Sequence, residues 1–201
     1  MVAHFGWEER TGNGKYDHIA MKNLSGFKNS VASNKGYYIG RFEAGKEGSS
    51  LVVKRDVNVW NKVTQYDAVK FSRAMYNTNV ESDLVNSYAW DTALVFIREF
   101  SGDDKYPIRT SSDSVNRTKF KTGHGFMETG DVKCNIFDMR LNYEEWTTEA
   151  CWCCSSPSVY RGGANRMDNT LNYSAFSRSN YSSWQNSDWL SFRVVVYLPA
   201  S

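Results

Sequence analysis

The chain has no cluster of basic residues. Its 24 Lys and Arg and 22 Asp and Glu are scattered along 201 residues and leave a formal charge of +2. The electrostatic footprint of a nucleic-acid-binding protein is therefore missing. No stretch approaches the roughly 18 consecutive apolar residues that mark a membrane span. The opening MVAHFGWEERTGNGKYD has neither the charged start nor the apolar core of a secretory signal. The expectation is synthesis in a cytoplasm or excision from a longer protein. Cysteine is sparse and badly placed for structural chemistry: Cys134 stands apart, and Cys151, Cys153 and Cys154 crowd into CWCC. A disulfide framework spreads its cysteines along the chain, and a zinc site repeats CxxC-type pairs at a distance. His4, His18 and His124 keep no ligand spacing either. Reduced thiols and no metal centre are expected.

Hydrophobic residues make up 41% of the chain and aromatics 15%. That is enough for a sizeable core and argues against disorder throughout. The length fits one domain over residues 1–201, with residues 1–35 read as an N-terminal extension or first elements. GYYIGRFEAG (Gly36–Gly45) alternates apolar with small or polar residues between glycines, as a strand does. SSLVVKRD, after a turn at KEG, is its expected hairpin partner. Thr64 and Asp67 stand in capping-box spacing and predict a helix over Thr64–Asn77. Trp90, Ala93, Leu94 and Ile97 recur at i, i+3, i+4 and i+7 and predict a second helix over Trp90–Phe100. A long polar connection follows, then short apolar runs in CNIFDMRLNYEEWTTEA and a closing core strand at residues 192–198. Strand-rich ends around two helices indicate an α+β fold.

The stretch from Arg161 to Arg193, RGGANRMDNTLNYSAFSRSNYSSWQNSDWLSFR, has no sustained period of two or of 3.6. It nevertheless runs into FRVVVYLP, which reads as a buried strand. Tyr and Trp offer large contact area with few rotatable bonds, and Ser, Asn and Gly add adaptable hydrogen bonds, as in antibody paratopes. Aromatics at uneven intervals cannot all be core on a regular element, so some are expected to be exposed together as a binding patch.

Three segments resemble the formylglycine-generating-enzyme-like (sulfatase-modifying-factor) branch of the C-type lectin fold. GYYIGRFEAG is similar to the family's opening strand. NIFDMRLNYEEWTTE matches its "NiyDMaGNVwEWt" block through Asn135, Asp138, Met139, Asn142, Glu145 and Trp146. YRGG…SR…SFR matches the closing "RGGsw…a.R…GFR" block through Arg161, Gly162, Gly163, Arg178, Phe192 and Arg193. SYAWDTALVFI sits loosely where the family has its second helix. The resemblance spans about residues 36–198 and implies two helices, short antiparallel strands and long irregular loops. The matched residues read as scaffold. Gly162 and Gly163 allow positive φ or close backbone approach, and Asn142 and Glu145 tie irregular backbone. Trp146 and Phe192 are core aromatics, and Arg178 and Arg193 pair with buried carboxylates or carbonyls.

The family's enzymes use a reactive cysteine pair between the GG and GFR landmarks. Here no cysteine lies between Gly163 and Phe192, so thiolate chemistry, or copper held by two thiolates, is impossible there. CWCC precedes the landmark and cannot replace the pair. The Glu-Pro-Asn-type motif of calcium-dependent sugar binding is absent too, although the resemblance leaves room for a structural calcium. The resemblance extends to the variable proteins of diversity-generating retroelements, in phages and bacterial genomes, where adenine positions of the gene's 3′ end are randomised. Such codons yield mixtures rich in Asn, Ser, Tyr, Asp, Cys and Phe, which is the composition of residues 150–193. It implies a non-enzymatic binder on a phage tail or bacterial surface, recognising a protein or other macromolecule on a host or neighbouring cell. The expected contact residues are Trp152, Cys153, Cys154, Tyr160, Asn165, Arg166, Met167, Asp168, Phe176, Ser177, Ser179, Tyr181, Trp184, Trp189 and Ser191. A divergent enzyme of the family and a fixed structural virion module are the alternatives.

Overall fold

The computed structural model describes residues 14–76, 78–103, 106, 122, 132–140, 142–150, 158–163, 174–182 and 184–199. The fold is α+β, with three helices and several small sheets among these residues. The expected helices form at α2 (Gln65–Met75) and α3 (Ser87–Phe100). Thr64 Oγ1 caps α2 by accepting from the Asp67 N–H at 3.1 Å, and Asn86 Oδ1 caps α3 by accepting from Ala89 N–H at 2.8 Å. Trp90, Ala93, Leu94 and Ile97 all face inward from α3, as their spacing requires.

The first helix, α1 (Gly14–Asn34), falls where an N-terminal extension or first elements were expected, with no helix assigned. Gly26, Asn23, Asn29 and Ser30 lower its intrinsic propensity, and tertiary contacts supply what propensity does not. Asn23 is fully buried: its amide donates to Leu84 O at 2.8 Å, and its carbonyl accepts from the Tyr197 hydroxyl at 2.8 Å. A Cβ on Gly26 would lie 2.8 Å from the Tyr197 ring, so the helix seats against the last strand only with glycine there.

The strand expected over Gly36–Gly45 is two strands in different sheets. β1 (Tyr38–Ile39) lies on the edge of one sheet, and β2 (Gly45–Glu47) forms the hairpin with β3 (Ser50–Val52) around Gly48 at φ +59°. β4 (Asn58–Val59) completes that hairpin sheet, and β5 (Glu81–Leu84) leads into α3. β6 (Val132–Lys133) and β7 (Ile136–Phe137) make a short ribbon. β8 (Glu144–Ala150) is buried along its whole length and pairs with β9 (Ser158–Arg161), which in turn pairs with β10 (Arg178–Tyr181).

The closing strand also divides. β11 (Leu190–Phe192) runs parallel to β8, and β12 (Val194–Tyr197) lies antiparallel between β1 and β5. Arg193 is the residue at which the chain changes sheet. The buried side chains fall into two clusters. One is built on α3 with Met139, Val195 and Tyr197, and the other on α2 with Trp60, Trp146, Leu190 and Phe192. No helix among the described residues is long and apolar enough to cross a membrane.

Candidate functional site

The sheet-changing step at Arg193 is fixed by a fully buried ion pair. Arg193 Nε and Nη2 donate to the two Glu145 carboxylate oxygens at 3.0 and 2.6 Å. The same guanidinium donates to Gly40 O and Phe137 O, each at 2.8 Å. One planar fork thus joins Gly40 just after β1, β7, β8 and the closing segment, a geometry that a lysine could not supply. Beside it Glu43 accepts from the Asn142 amide and from Tyr143 N–H at 3.2 Å. Burial, with Glu145 and Asp138 close by, pushes the Glu43 carboxyl well above the usual range. The expected roles are therefore partly redistributed: Asn142 and Glu145 bind side chains, and it is Glu43 and Arg193 that reach the backbone.

From this base the Arg161–Arg193 segment rises as a series of anchors. Gly162 adopts φ +91° against the Trp90 ring, whereas Gly163 is buried without a positive φ. Trp90 Nε1 donates to Ala175 O at 2.8 Å, and Ala175 is fully buried. Ser174 and Ser177 close the turn around it: Ser177 N–H donates to Ser174 O at 2.8 Å, and Ser177 Oγ accepts from Ser174 N–H at 3.0 Å. Further along, Asn61 donates to Asp188 O at 2.8 Å, and Lys62 N–H to Ser187 O at 3.0 Å.

Two arginines cross the β9–β10 pair side by side, since Arg161 and Arg178 are register partners. Arg161 is buried, pairs with Asp91 and donates from Nε to Ser177 O at 3.0 Å. Arg178 is more open; its Nε lies 3.2 Å from Glu149, and its Nη2 lies 3.7 Å from Asp91. Glu149 also accepts from the Ser87 hydroxyl, and burial raises its carboxyl above the usual range. Asp91, Glu149 and Ser87 lie within the quoted segments SYAWDTALVFI and NIFDMRLNYEEWTTE but are not among their matched residues.

The aromatic residues form a graded stack. Trp146 is buried and meets Tyr160 edge-on, with ring centroids 6.0 Å apart, and Tyr160 meets Trp189 at 5.5 Å. Tyr181 closes on Trp189 at 5.6 Å, and both are half-buried. Tyr160 and Ser191, expected on the contact surface, are instead buried, Tyr160 in the stack and Ser191 with its hydroxyl donating to Trp60 O at 3.4 Å. Their inward direction follows from β9 and β11 being covered on both faces. Among the described residues, Phe176 and Trp184 are the exposed aromatics of the segment, at 41% and 67%, and Arg178 and Ser179 are exposed on β10. Ser177, Tyr181 and Trp189 occupy intermediate positions. Trp152, Cys153, Cys154, Asn165, Arg166, Met167 and Asp168 lie outside the described residues. Cys134 is a free thiol. Among the described residues no group of three or more His, Cys, Asp or Glu is arranged to hold a metal ion.

No family model and no curated protein matches the chain. Among solved structures, Treponema denticola variable protein 1 aligns over 98% of this chain and 77% of its own, at 17% identity and a TM-score of 0.34.

Proposed function

We propose that this protein is a non-enzymatic ligand-binding module, a variable protein of the diversity-generating-retroelement kind on a C-type lectin-like scaffold of the formylglycine-generating-enzyme type. One observation carries the reading. In the described parts of the Arg161–Arg193 segment the chain is anchored at buried Ala175 and Leu190 and through the carbonyls of Ala175 and Ser177, while Phe176, Ser179 and Trp184 are exposed. Side chains on such a frame can be exchanged without unfolding the domain, because the anchors use buried residues and main-chain groups. The exposed residue types are aromatic, which recur as interface hot spots, and serine, which with aromatics makes up antibody paratopes. An oxidase role is disfavoured by the lack of any cysteine between Gly163 and Phe192. The ligand is a protein or other macromolecule on a host or neighbouring cell, and the module is displayed on a phage tail or bacterial surface.

Deep sequencing of the gene's 3′ end in its source population tests the reading, with a search of the flanking DNA for a near-copy beside a reverse transcriptase. Substitutions at the near-copy's adenines that spare the Arg161-Gly162-Gly163 and Phe192-Arg193 codons are expected. An invariant 3′ end with no near-copy would refute diversification and leave a module of fixed specificity.

A further inference from the structure

Outside residues 150–193, two arginines converge on one aromatic ring. Arg41 follows β1, and its carbonyl accepts from Phe137 N–H at 2.9 Å, so the residue is pinned beside β7. Its Cζ lies 5.3 Å from the Phe137 ring centroid and 5.4 Å from that of Phe42. Arg55, in the turn between β3 and β4, brings its Cζ to 5.5 Å from the same Phe137 centroid. The two rings pack together at 4.8 Å and are buried, whereas both arginines are exposed. Attraction of each guanidinium to the ring gathers two like charges in one place. Among the described residues no carboxylate pairs with either arginine. Lys54, next to Arg55, takes Glu47 at 2.5 Å, and Lys133 takes Asp103 at 2.9 Å. Glu43 and Asp138, the sequence neighbours of the two rings, are buried. A third donor stands in the turn between β6 and β7. Asn135 Oδ1 accepts from Arg41 Nη2 at 3.3 Å, which leaves the exposed Asn135 NH2 group claimed by no described residue. We propose that Arg41, Arg55 and Asn135 form a binding site for a tetrahedral dianion of the phosphate or sulfate kind.

Charge and donor type select this class of ligand. Two positive charges match two negative ones, and guanidinium forks hold tetrahedral oxyanions through paired N–H donors. A neutral ligand would leave both cations uncompensated. The backbone needs no rearrangement, because Arg41 and Arg55 are exposed and close on the anion by side-chain rotation. The dianion is either a free ion or the end group of a phosphate monoester, and the chemistry that holds it is the same. None of the three residues lies in 150–193, so the site is independent of the function proposed for that segment.

The test is NMR on the full chain at pH 7, following the Arg41 and Arg55 Nε–Hε signals, each assigned by its loss in Arg41→Lys or Arg55→Lys. Inorganic phosphate is titrated against sodium chloride at equal ionic strength, so that general screening is the same in both. Phosphate should shift both arginine signals to saturation with one common midpoint, and chloride should not. Arg55→Gln should weaken the binding reported by Arg41 about tenfold, the loss expected for a charge-assisted contact. Methyl phosphate separates the two sources. Binding within a few-fold of inorganic phosphate supports a site for a monoester end group, and binding at least about tenfold weaker supports a site for the free ion. Equal responses to phosphate and chloride would overturn the proposal, as would a phosphate response from one arginine alone. If Arg55→Gln fails to fold, the wild-type titration decides. Neither result bears on whether the gene's 3′ end varies, so the two proposals fail separately.

Discussion

Replacing Arg193 by methionine tests the frame directly. Methionine keeps the apolar stem but has three fewer heavy atoms, so the change removes the charge and the hydrogen bonds and leaves a small gap where the guanidinium lay. Glu145 would keep a fully buried carboxylate with no counter-ion; breaking such a pair from one side costs about 3–5 kcal/mol. The carbonyls of Gly40 and Phe137 would each lose a donor now at 2.8 Å, at about 1–3 kcal/mol apiece. Together these approach the whole stability of a typical domain, about 5–15 kcal/mol. Proton uptake by Glu145 would soften the first contribution, since burial already pushes that carboxyl upward and Arg193 is what pulls it back. The second variant, Glu145→Leu with Arg193→Met, removes both charges and leaves only the two carbonyls stranded. It should therefore be more stable than Arg193→Met alone, although the double variant carries more changes. Urea denaturation followed by tryptophan fluorescence, with m-values compared, reads both. A single variant within about 1 kcal/mol of wild type would sink the reasoning. So would a double variant less stable than the single.

Gly26→Ala should destabilise by about 1–3 kcal/mol as an overpacking change, because its Cβ would sit 2.8 Å from the Tyr197 ring; thermal melts would show it, and a stabilised variant would mean that α1 seats differently. Trp184→Ala, at a position 67% exposed, should leave stability within about 0.5 kcal/mol of wild type, so a larger loss in urea would remove Trp184 from the exposed surface. The raised Glu43 carboxyl binds a proton in the folded state that the unfolded chain releases above its ordinary value of 4.5. Its contribution therefore makes stability fall as pH rises from 4.5 upward. Glu43→Gln should flatten that slope, and an unchanged slope would show that Glu43 is ionised in the fold.

The helices α2 and α3 were legible because their signals are local: a capping oxygen followed by apolar residues at helical spacing depends on neighbours within a few turns. The aromatic core positions Trp146 and Phe192 and the pairing of Arg193 with a buried acid were legible through the motif blocks that carry them. The aromatic, serine- and asparagine-rich composition of residues 150–193 was visible as well. Tertiary structure alone decided the rest. Helix α1 has weak local propensity and is held by Asn23 and Gly26 against strands some sixty and more than 170 residues away. The closing run FRVVVYLP looks like one strand, yet Arg193 splits it between two sheets, because its guanidinium has partners on three other elements. Tyr160 and Ser191 share the composition of the exposed residues but are buried, because β9 and β11 are covered along their whole length whatever the residue type. Asp91 and Glu149 became neighbours of Arg161 and Arg178 only through the packing of α3 on β8 and β9. Local sequence determines which segments form helices and which residue types crowd the closing segment. Long-range pairing determines which of those side chains meet water.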